Sequence, residues 1–267
     1  MNHRMQCWRG HTLLAAFLLI AALPAVHAGE VSVAVAANFT EAARELTARF
    51  AAATGHRARL SFGSTGQLYA QISNGAPYEV FLAADSERPR KVDSTGHAVR
   101  GSRFTYAVGA LLMVSDKEGM FDDGPAFLEA GDFQRIAIAN PDTAPYGLAA
   151  QQVLEALGMW QPLQRKIVRG NSIAQTYQFV ATGNTDIGFI AQSQAVSRNA
   201  RNGTAFGSSW QVPAELYDPI EQQAVLLTRG ADNAAAAAFI DFLKSDDART
   251  IIAGFGYSVP YLNTAQR

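Results

Sequence analysis

The sequence predicts an α/β protein of two domains, each built on a mainly parallel sheet flanked by helices. After Gly29, short runs rich in β-branched residues alternate with longer segments of helical periodicity, which is typical of this class. The same order of strand and helix occurs in both halves of the chain. A chain of 267 residues is also long enough for a leader and two domains of ordinary size.

The first half contains three predicted strands, each followed by a predicted helix. Gly55 and the Asn74-Gly75 pair supply stop signals for the first two helices. The predicted elements are a strand at 30–36, a helix at 40–53, a strand at 57–62, a helix at 66–73, a strand at 80–84 and a helix at 86–94.

Residues 104–115 form a longer apolar run, as expected of one strand that leaves the first domain and enters the second. Further strands are predicted at 135–139, 166–169, 186–190 and 221–228, and helices at 146–157, 173–182, 234–244 and 247–253. Residues 199–219 are rich in Gly, Ser and Pro and are interpreted as a connection. The first domain is therefore expected to comprise residues 29–105 and 219–267, and the second residues 106–218.

The first 28 residues have the pattern of a cleavable secretory signal. Basic residues precede an apolar run of about 15 residues, and Val26-His27-Ala28 ends in a small residue. The run is shorter than the roughly 20 residues of a membrane-spanning helix. The only cysteine, Cys7, precedes the run, where it could not anchor a lipid after cleavage. The pattern predicts a freely diffusing protein of the periplasm.

Composition argues against several other functions. Arg4 and Arg9 lie in the leader, so the remainder has 22 − 2 = 20 basic residues against 23 acidic ones, which disfavours nucleic acid as a partner. His56 and His97 have no Cys or His at the spacing of a zinc site. The sequence has no Gly-x-Ser-x-Gly elbow and no P-loop, and we do not expect an enzyme.

Four short polar turns follow predicted strands and precede predicted helices. In open α/β sheets such turns gather at the ligand crevice, and a helix N-terminus attracts anions through unpaired N–H groups. Side chains in the turns add neutral hydrogen-bond donors, although Ser, Thr and Asn at these positions are also ordinary helix caps. The turns are residues 37–40, 63–66, 143–147 and 170–173.

The turns suit a fully ionised oxyanion such as molybdate or sulfate, because none of them contains a carboxylate that would repel it. Asp85 and Asp142 lie near enough in the sequence to weaken this argument. A protein that binds ferric ion through tyrosines is a further alternative, but Tyr146 and Tyr177 make no clear group.

The turns and their flanking segments resemble the molybdate-binding proteins of ABC importers over essentially the whole chain after the leader. The resemblance rests on residues 33–50, 60–85, 136–160, 171–195 and 238–260. It implies a two-lobed, hinge-closing periplasmic binding fold of type II that holds molybdate or tungstate between the lobes. It also implies a monomer without a cofactor, whose partners are a membrane permease and its ATPase.

Matched residue by residue, the resemblance places the ligand contacts on Ala37 and Asn38, Ser64, Tyr146 and Ile173. Ala37 and Ile173 would contribute backbone N–H groups only, whereas the other three could add side-chain donors. Some relatives carry a tyrosine where this sequence has Ala191. Tyr146 is therefore expected to supply the phenol from the other side of the cleft.

Overall fold

The computed structural model describes residues 28–260, so the secretory signal predicted for residues 1–28 lies outside the described residues except for Ala28. Ten strands and ten α-helices form two α/β lobes over this range. The strands are β1 Glu30–Ala36, β2 Arg57–Gly63, β3 Val80–Leu82, β4 Phe104–Gly109, β5 Leu111–Ser115, β6 Ile136–Ala139, β7 Ile167–Gly170, β8 Ile187–Ala191, β9 Ser208–Gln211 and β10 Ile220–Leu226.

The helices lie on the faces of the two sheets and between them. They are α1 Thr40–Thr54, α2 Thr65–Ser73, α3 Glu87–Ser94, α4 Gly124–Ala130, α5 Pro145–Ala156, α6 Trp160–Leu163, α7 Ile173–Ala181, α8 Gln192–Asn202, α9 Ala234–Leu243 and α10 Asp246–Gly254. A 3-10 turn, Ala37–Phe39, joins β1 directly to α1.

Lobe I contains the sheet with strand order β2-β1-β3-β10-β4, and lobe II the sheet with order β7-β6-β8-β5-β9. β1 pairs in parallel with β2 and β3, and β6 pairs in parallel with β7 and β8. β10 pairs antiparallel with β3 and β4, and β5 pairs antiparallel with β8 and β9. Each sheet is thus mixed. In β1, the six residues after Glu30 are buried, as expected of a strand covered on both faces.

The predicted strand at 104–115 is two strands in different sheets. β4 ends at Gly109 in lobe I and β5 begins at Leu111 in lobe II, so the chain crosses at Ala110 rather than at the expected edge after residue 105. The return crossing precedes Ile220, the first residue of β10. The run looked continuous because both strands are largely buried in their own lobes.

Four of the strands and helices were not predicted, namely α4, α6, α8 and β9. The prediction of a connection over 199–219 is wrong in part, because it contains the end of α8 and the edge strand β9. α8 is polar and β9 is short and flanked by Gly and Pro, so neither has the apolar pattern by which sequence reveals an element. Within residues 28–260 no helix is both long and apolar enough to cross a membrane.

Candidate functional site

A small cavity lies between the lobes at the place where the four polar turns meet. All five residues predicted to contact a ligand line it. Lobe I contributes the turn after β1 and the start of α2, and lobe II contributes the starts of α5 and α7. The lining residues are Ala36, Ala37, Asn38, Ser64, Thr65, Ala84, Ala144, Pro145, Tyr146 and Ile173.

The sheet topology explains why these turns converge. β1 and β2 are parallel neighbours in lobe I, and β6 and β7 are parallel neighbours in lobe II. Each strand ends at the edge that faces the other lobe, and the following helix begins there. Helix geometry leaves the first amides of these helices, including those of Ala37, Thr65 and Ile173, without an intrahelical acceptor. The cavity therefore has a partial positive potential without a basic side chain.

Ser64 carries a buried hydroxyl that is unpaired among the described residues. Its residue is 2 % exposed, and its Oγ has no hydrogen-bond partner although it occupies the N-cap position of α2. Ser172 occupies the same position of α7, and there the side chain does accept a hydrogen bond from Gln175 N. Ser172 is thus an ordinary cap. Ser64 is left with a hydroxyl available to a group in the cavity, and a buried hydroxyl without a partner is costly.

Tyr146 lies at the start of α5, and its side chain is buried between the lobes. The amide Nε2 of Gln222 donates a 3.2 Å hydrogen bond to the Tyr146 hydroxyl oxygen. The hydrogen of that hydroxyl remains available for an acceptor. Gly109 provides the space, because a Cβ built at this glycine would lie 2.0 Å from the same oxygen.

Asn38 is buried in the cavity wall, but its side-chain amide is already engaged. Nδ2 donates to Gln222 Oε1 at 2.8 Å and to the Tyr257 hydroxyl at 3.0 Å. Both amide hydrogens are thereby used inside the protein. The donor of Asn38 that is left for a ligand is its backbone N–H, in the first turn after β1. No local sequence pattern indicates this, because both partners lie far along the chain.

Gln222 is the residue of this site that the sequence analysis missed. It is fully buried in β10, where it and Gln223 are polar residues at buried positions of the strand. The pairing of β10 with β4 is irregular at this point, because Tyr106 is an extra residue between the partners of Gln222 and Gln223. Bulges of this kind often turn a side chain towards a site. A polar residue inside a buried strand was the signal that could have identified it.

The electrostatics of the cavity are those of neutral donors. Burial raises the pKa of the phenols of Tyr106, Tyr146 and Tyr257, so these groups remain protonated. The carboxylate of Asp85, which follows the cavity residue Ala84, is paired with Arg88 at 2.6 Å. Arg88 also donates to the backbone oxygen of Asp142 across the cleft at 2.9 Å. The positive charge of Arg88 therefore offsets the repulsion that Asp85 would exert on an anion.

Direct contacts between the lobes surround the cavity. Gly66 N of lobe I donates to Thr143 O of lobe II at 2.8 Å. On the other side, Ser193 Oγ of lobe II donates to the backbone oxygen of Asn38 at 3.0 Å. An exposed ion pair joins Arg201 of α8 to Glu41 of α1 at 3.2 Å. Together with the Tyr146 to Gln222 bond, these contacts define a closed arrangement of the lobes.

The tyrosines of the cavity differ from those of a ferric site. Such a site groups phenolates with carboxylate or histidine, whereas the hydroxyl of Tyr146 contacts the neutral amide of Gln222. Over residues 28–260 no group of three or more His, Cys, Asp or Glu side chains is placed to hold a metal ion. The arrangement favours a ligand that accepts hydrogen bonds.

Two lobes that close over a cavity of neutral donors define a solute-binding protein, and residues 31–258 match the family described as bacterial extracellular solute-binding protein. The chain is 51% identical over 235 residues to the molybdate-binding protein ModA of Azotobacter vinelandii, covering 88% of this chain and 92% of that protein. It is 49% identical to ModA of Rhodobacter capsulatus, over 96% of this chain and 99% of the relative.

A solved structure shows the same architecture. The periplasmic molybdate-binding protein of Azotobacter vinelandii superposes with a TM-score of 0.82 and 43% identity, covering 86% of this chain and 99% of that one. The chain belongs to the ModA family of solute-binding proteins. The resemblance read from the sequence and the predicted two-lobed fold are both confirmed.

Proposed function

We propose that the protein captures molybdate, and also tungstate, in the cavity between its lobes and delivers it to an ABC importer from the periplasm. The observation that carries this proposal is the buried, unpaired hydroxyl of Ser64 at a point where helix N-termini from both lobes meet. A donor held in that position is available to an acceptor on a bound ligand. The ModA relatives make molybdate the first candidate.

A tetrahedral oxyanion presents acceptors in every direction, and the cavity presents donors from both lobes. The proposed contacts are the backbone N–H groups of Ala37, Asn38 and Ile173, the hydroxyl of Ser64 and the phenol of Tyr146. Hydrogen bonds to a charged group contribute roughly 1.5 to 3 kcal/mol each. Because the donors are neutral, the anion is held without a buried ion pair and can be released again.

The ligand would act by favouring the closed arrangement of the lobes. It contacts both lobes only when they are together, so its differential affinity shifts the equilibrium towards closure. The closed form would then dock, as a monomer, on a membrane permease whose ATPase drives import. Binding and closure suffice for this role, and no catalytic step is part of it.

Calorimetric titration of residues 29–267 with molybdate, tungstate, sulfate and phosphate tests the proposal. Tight one-to-one binding of molybdate and tungstate, with sulfate and phosphate far weaker, is the expected result. The same titration of Ser64→Ala locates the site, because loss of this hydroxyl should weaken molybdate binding by about ten-fold or more.

Other outcomes point to different ligands. Heat from sulfate with none from molybdate would leave the cavity in place and replace the cargo by the smaller oxyanion, which is the alternative to our proposal. A visible charge-transfer band on addition of ferric citrate would contradict an oxyanion site altogether. Absence of binding heat with all four anions would show that the proposed function is wrong.

A further inference from the structure

We infer that Gln222 is a positioning residue that fixes the direction of the Tyr146 hydroxyl and thereby makes the cavity reject oxyanions that carry a proton. The inference rests on the proposed function, because it concerns how the same cavity distinguishes its ligands. Gln222 does not line the cavity. It would act through Tyr146, the residue that it contacts across the two lobes.

The two ends of the Gln222 amide face different partners. Its Oε1 accepts from Asn38 Nδ2 at 2.8 Å and from the Tyr106 hydroxyl at 3.2 Å, both in lobe I. Its Nε2 donates to the hydroxyl oxygen of Tyr146 in lobe II at 3.2 Å. Gln222 is 0 % exposed, so water cannot substitute for any of these contacts. Two donors at the oxygen end keep the nitrogen end towards Tyr146.

The direction of these hydrogen bonds decides what Tyr146 offers to a ligand. A phenol has one hydrogen, and here its oxygen already accepts from Gln222. Its hydrogen is then free to point into the cavity as a donor. A fully ionised molybdate or sulfate can accept that hydrogen. Monohydrogen phosphate carries a hydrogen of its own, which needs an acceptor, and a phenol held as a donor does not supply one.

Gly109 makes the hydrogen bond between Gln222 and Tyr146 possible, because it leaves room for both side chains. A Cβ at residue 109 would lie 2.0 Å from the Tyr146 hydroxyl oxygen and 2.8 Å from Gln222 Nε2. Real Cβ atoms do not approach so closely, so any other residue would displace the bond between the lobes. The glycine lies at the end of β4, next to the crossing at Ala110. The bond therefore forms beside a point where the chain crosses between the lobes.

The phenols that surround Gln222 stay protonated in the pH range in which the test is made. Tyr106, Tyr146 and Tyr257 approach it or its partner Asn38 from three separate segments, and burial raises the pKa of each phenol. The carboxylate of Asp85 is paired with Arg88. Differences between variants at about pH 8 can then be attributed to the amide rather than to a neighbouring ionisation.

The first experiment is a double-mutant cycle measured by molybdate titration. Gln222→Met removes the amide at similar volume, Tyr146→Phe removes the hydroxyl, and a third variant combines the two. We expect Gln222→Met to weaken molybdate binding about ten-fold in the wild-type background and less than about two-fold when residue 146 is Phe. Equal losses in both backgrounds would overturn the inference, because a merely structural residue acts without regard to Tyr146.

The second experiment measures selectivity in Gln222→Glu. The carboxylate would accept the phenol hydrogen, so that Tyr146 presents a lone pair to the cavity. Its added charge repels both dianions alike, and therefore the ratio of molybdate to phosphate affinity is the quantity compared. We expect this ratio to fall at least ten-fold at about pH 8. An unchanged ratio would contradict the proposed role, and this variant keeps the test open should Gln222→Met fail to fold.

Failure of the proposed function would look different from failure of this inference. A wild-type protein that binds none of the anions would disprove the function. The bond between Gln222 and Tyr146 can still be examined by the same cycle in thermal unfolding of the ligand-free protein. Melting temperatures that change additively would show that the two residues are not coupled.

Discussion

The backbone N–H of Gly66, in lobe I, donates to the backbone oxygen of Thr143, in lobe II, at 2.8 Å. Both residues belong to turns that begin a helix beside the cavity. The contact brings the second and third turns together and excludes a side chain at residue 66, since a Cβ there would lie 2.9 Å from Thr143 Cα and 3.0 Å from Thr143 O. Closure of the lobes is thus a contact between two backbones.

Gly66→Ala should weaken ligand binding without unfolding either lobe. The added methyl meets backbone atoms that cannot rotate away, so the lobes would have to remain slightly apart. We expect a loss of molybdate affinity of about five-fold or more, measured by calorimetry, and a larger radius of gyration by small-angle scattering in the presence of ligand. Gly254→Ala in α10 is the matched control, because its Cβ would meet nothing within 4 Å. Equal affinities in the two variants would contradict this view of closure.

Ser64→Ala should weaken ligand binding, whereas Ser172→Ala should lower stability, although both remove a serine hydroxyl at a helix N-cap. The Ser64 hydroxyl is buried and unpaired, so its removal should leave the ligand-free protein at least as stable as before while weakening ligand binding. The Ser172 hydroxyl caps α7, so its loss should lower the free energy of unfolding by about 1 kcal/mol. Urea unfolding and titration of both variants compare the effects. A stability loss in Ser64→Ala larger than that in Ser172→Ala would contradict the assignment.

Asp186 should be a source of stability in lobe II that is lost in acid. Its carboxylate accepts from Lys117 Nζ at 2.7 Å and from the amides of Gln134 and Arg135 at 2.9 and 3.1 Å. The hydrogen bond from Lys117, followed by those two amides, lowers its pKa from the ordinary 3.8. The stabilisation is therefore present above about pH 4 and disappears as the pH falls through the lower value of the folded state.

Asp186→Asn should reduce the free energy of unfolding at neutral pH by roughly 1.5 kcal/mol, and the difference from wild type should shrink in acid. Urea unfolding at about pH 7 and about pH 3 measures both. Lys117→Ala is the control, because its side chain is 63% exposed and an exposed ion pair contributes less than about 1 kcal/mol. If the lysine variant lost more stability than the asparagine variant, the backbone contacts would not be the main contribution.

The buried phenols should make the protein sensitive to alkali. Burial raises the pKa of Tyr146 above 10.0 in the folded state, whereas the unfolded chain titrates near 10.0. The contribution to stability is complete below about pH 10 and is lost as the pH rises towards the folded value. Melting temperatures between about pH 8 and pH 11 should fall less steeply in Tyr146→Phe than in the wild type. Tyr69→Phe serves as the control for removing a tyrosine outside the cavity.

The sequence was sufficient for most of the secondary structure because the buried strands and the helix stops are local signals. The predicted strand at 30–36 and the helix that follows it agree with β1 and α1 almost to the residue. The polar helix α8 and the edge strand β9 were missed because their side chains carry no apolar pattern. The change of sheet at Ala110 was placed too early because apolar residues continue on both sides of it.

The candidate site, like the secondary structure, could be predicted only in part. Four turns at strand ends were visible in the sequence, and the structure brings all of them to one cavity. What each side chain does there was not visible, since it depends on partners far along the chain. Asn38 and Gln222 are 184 residues apart, and Tyr146 and Gln222 are 76 apart. No local pattern distinguishes the capping Ser172 from the free Ser64.

The neutral lining of the cavity should make ligand binding nearly independent of ionic strength. Ionic strength weakens attraction between exposed charges, with a screening distance of about 10 Å at 0.1 M salt, but it acts much less on contacts enclosed within a protein. A phosphate site built from exposed lysines loses affinity as salt is added. An anion enclosed here by amides and hydroxyls would be retained almost equally at low and at high ionic strength, so only ions that enter the same cavity would compete with it.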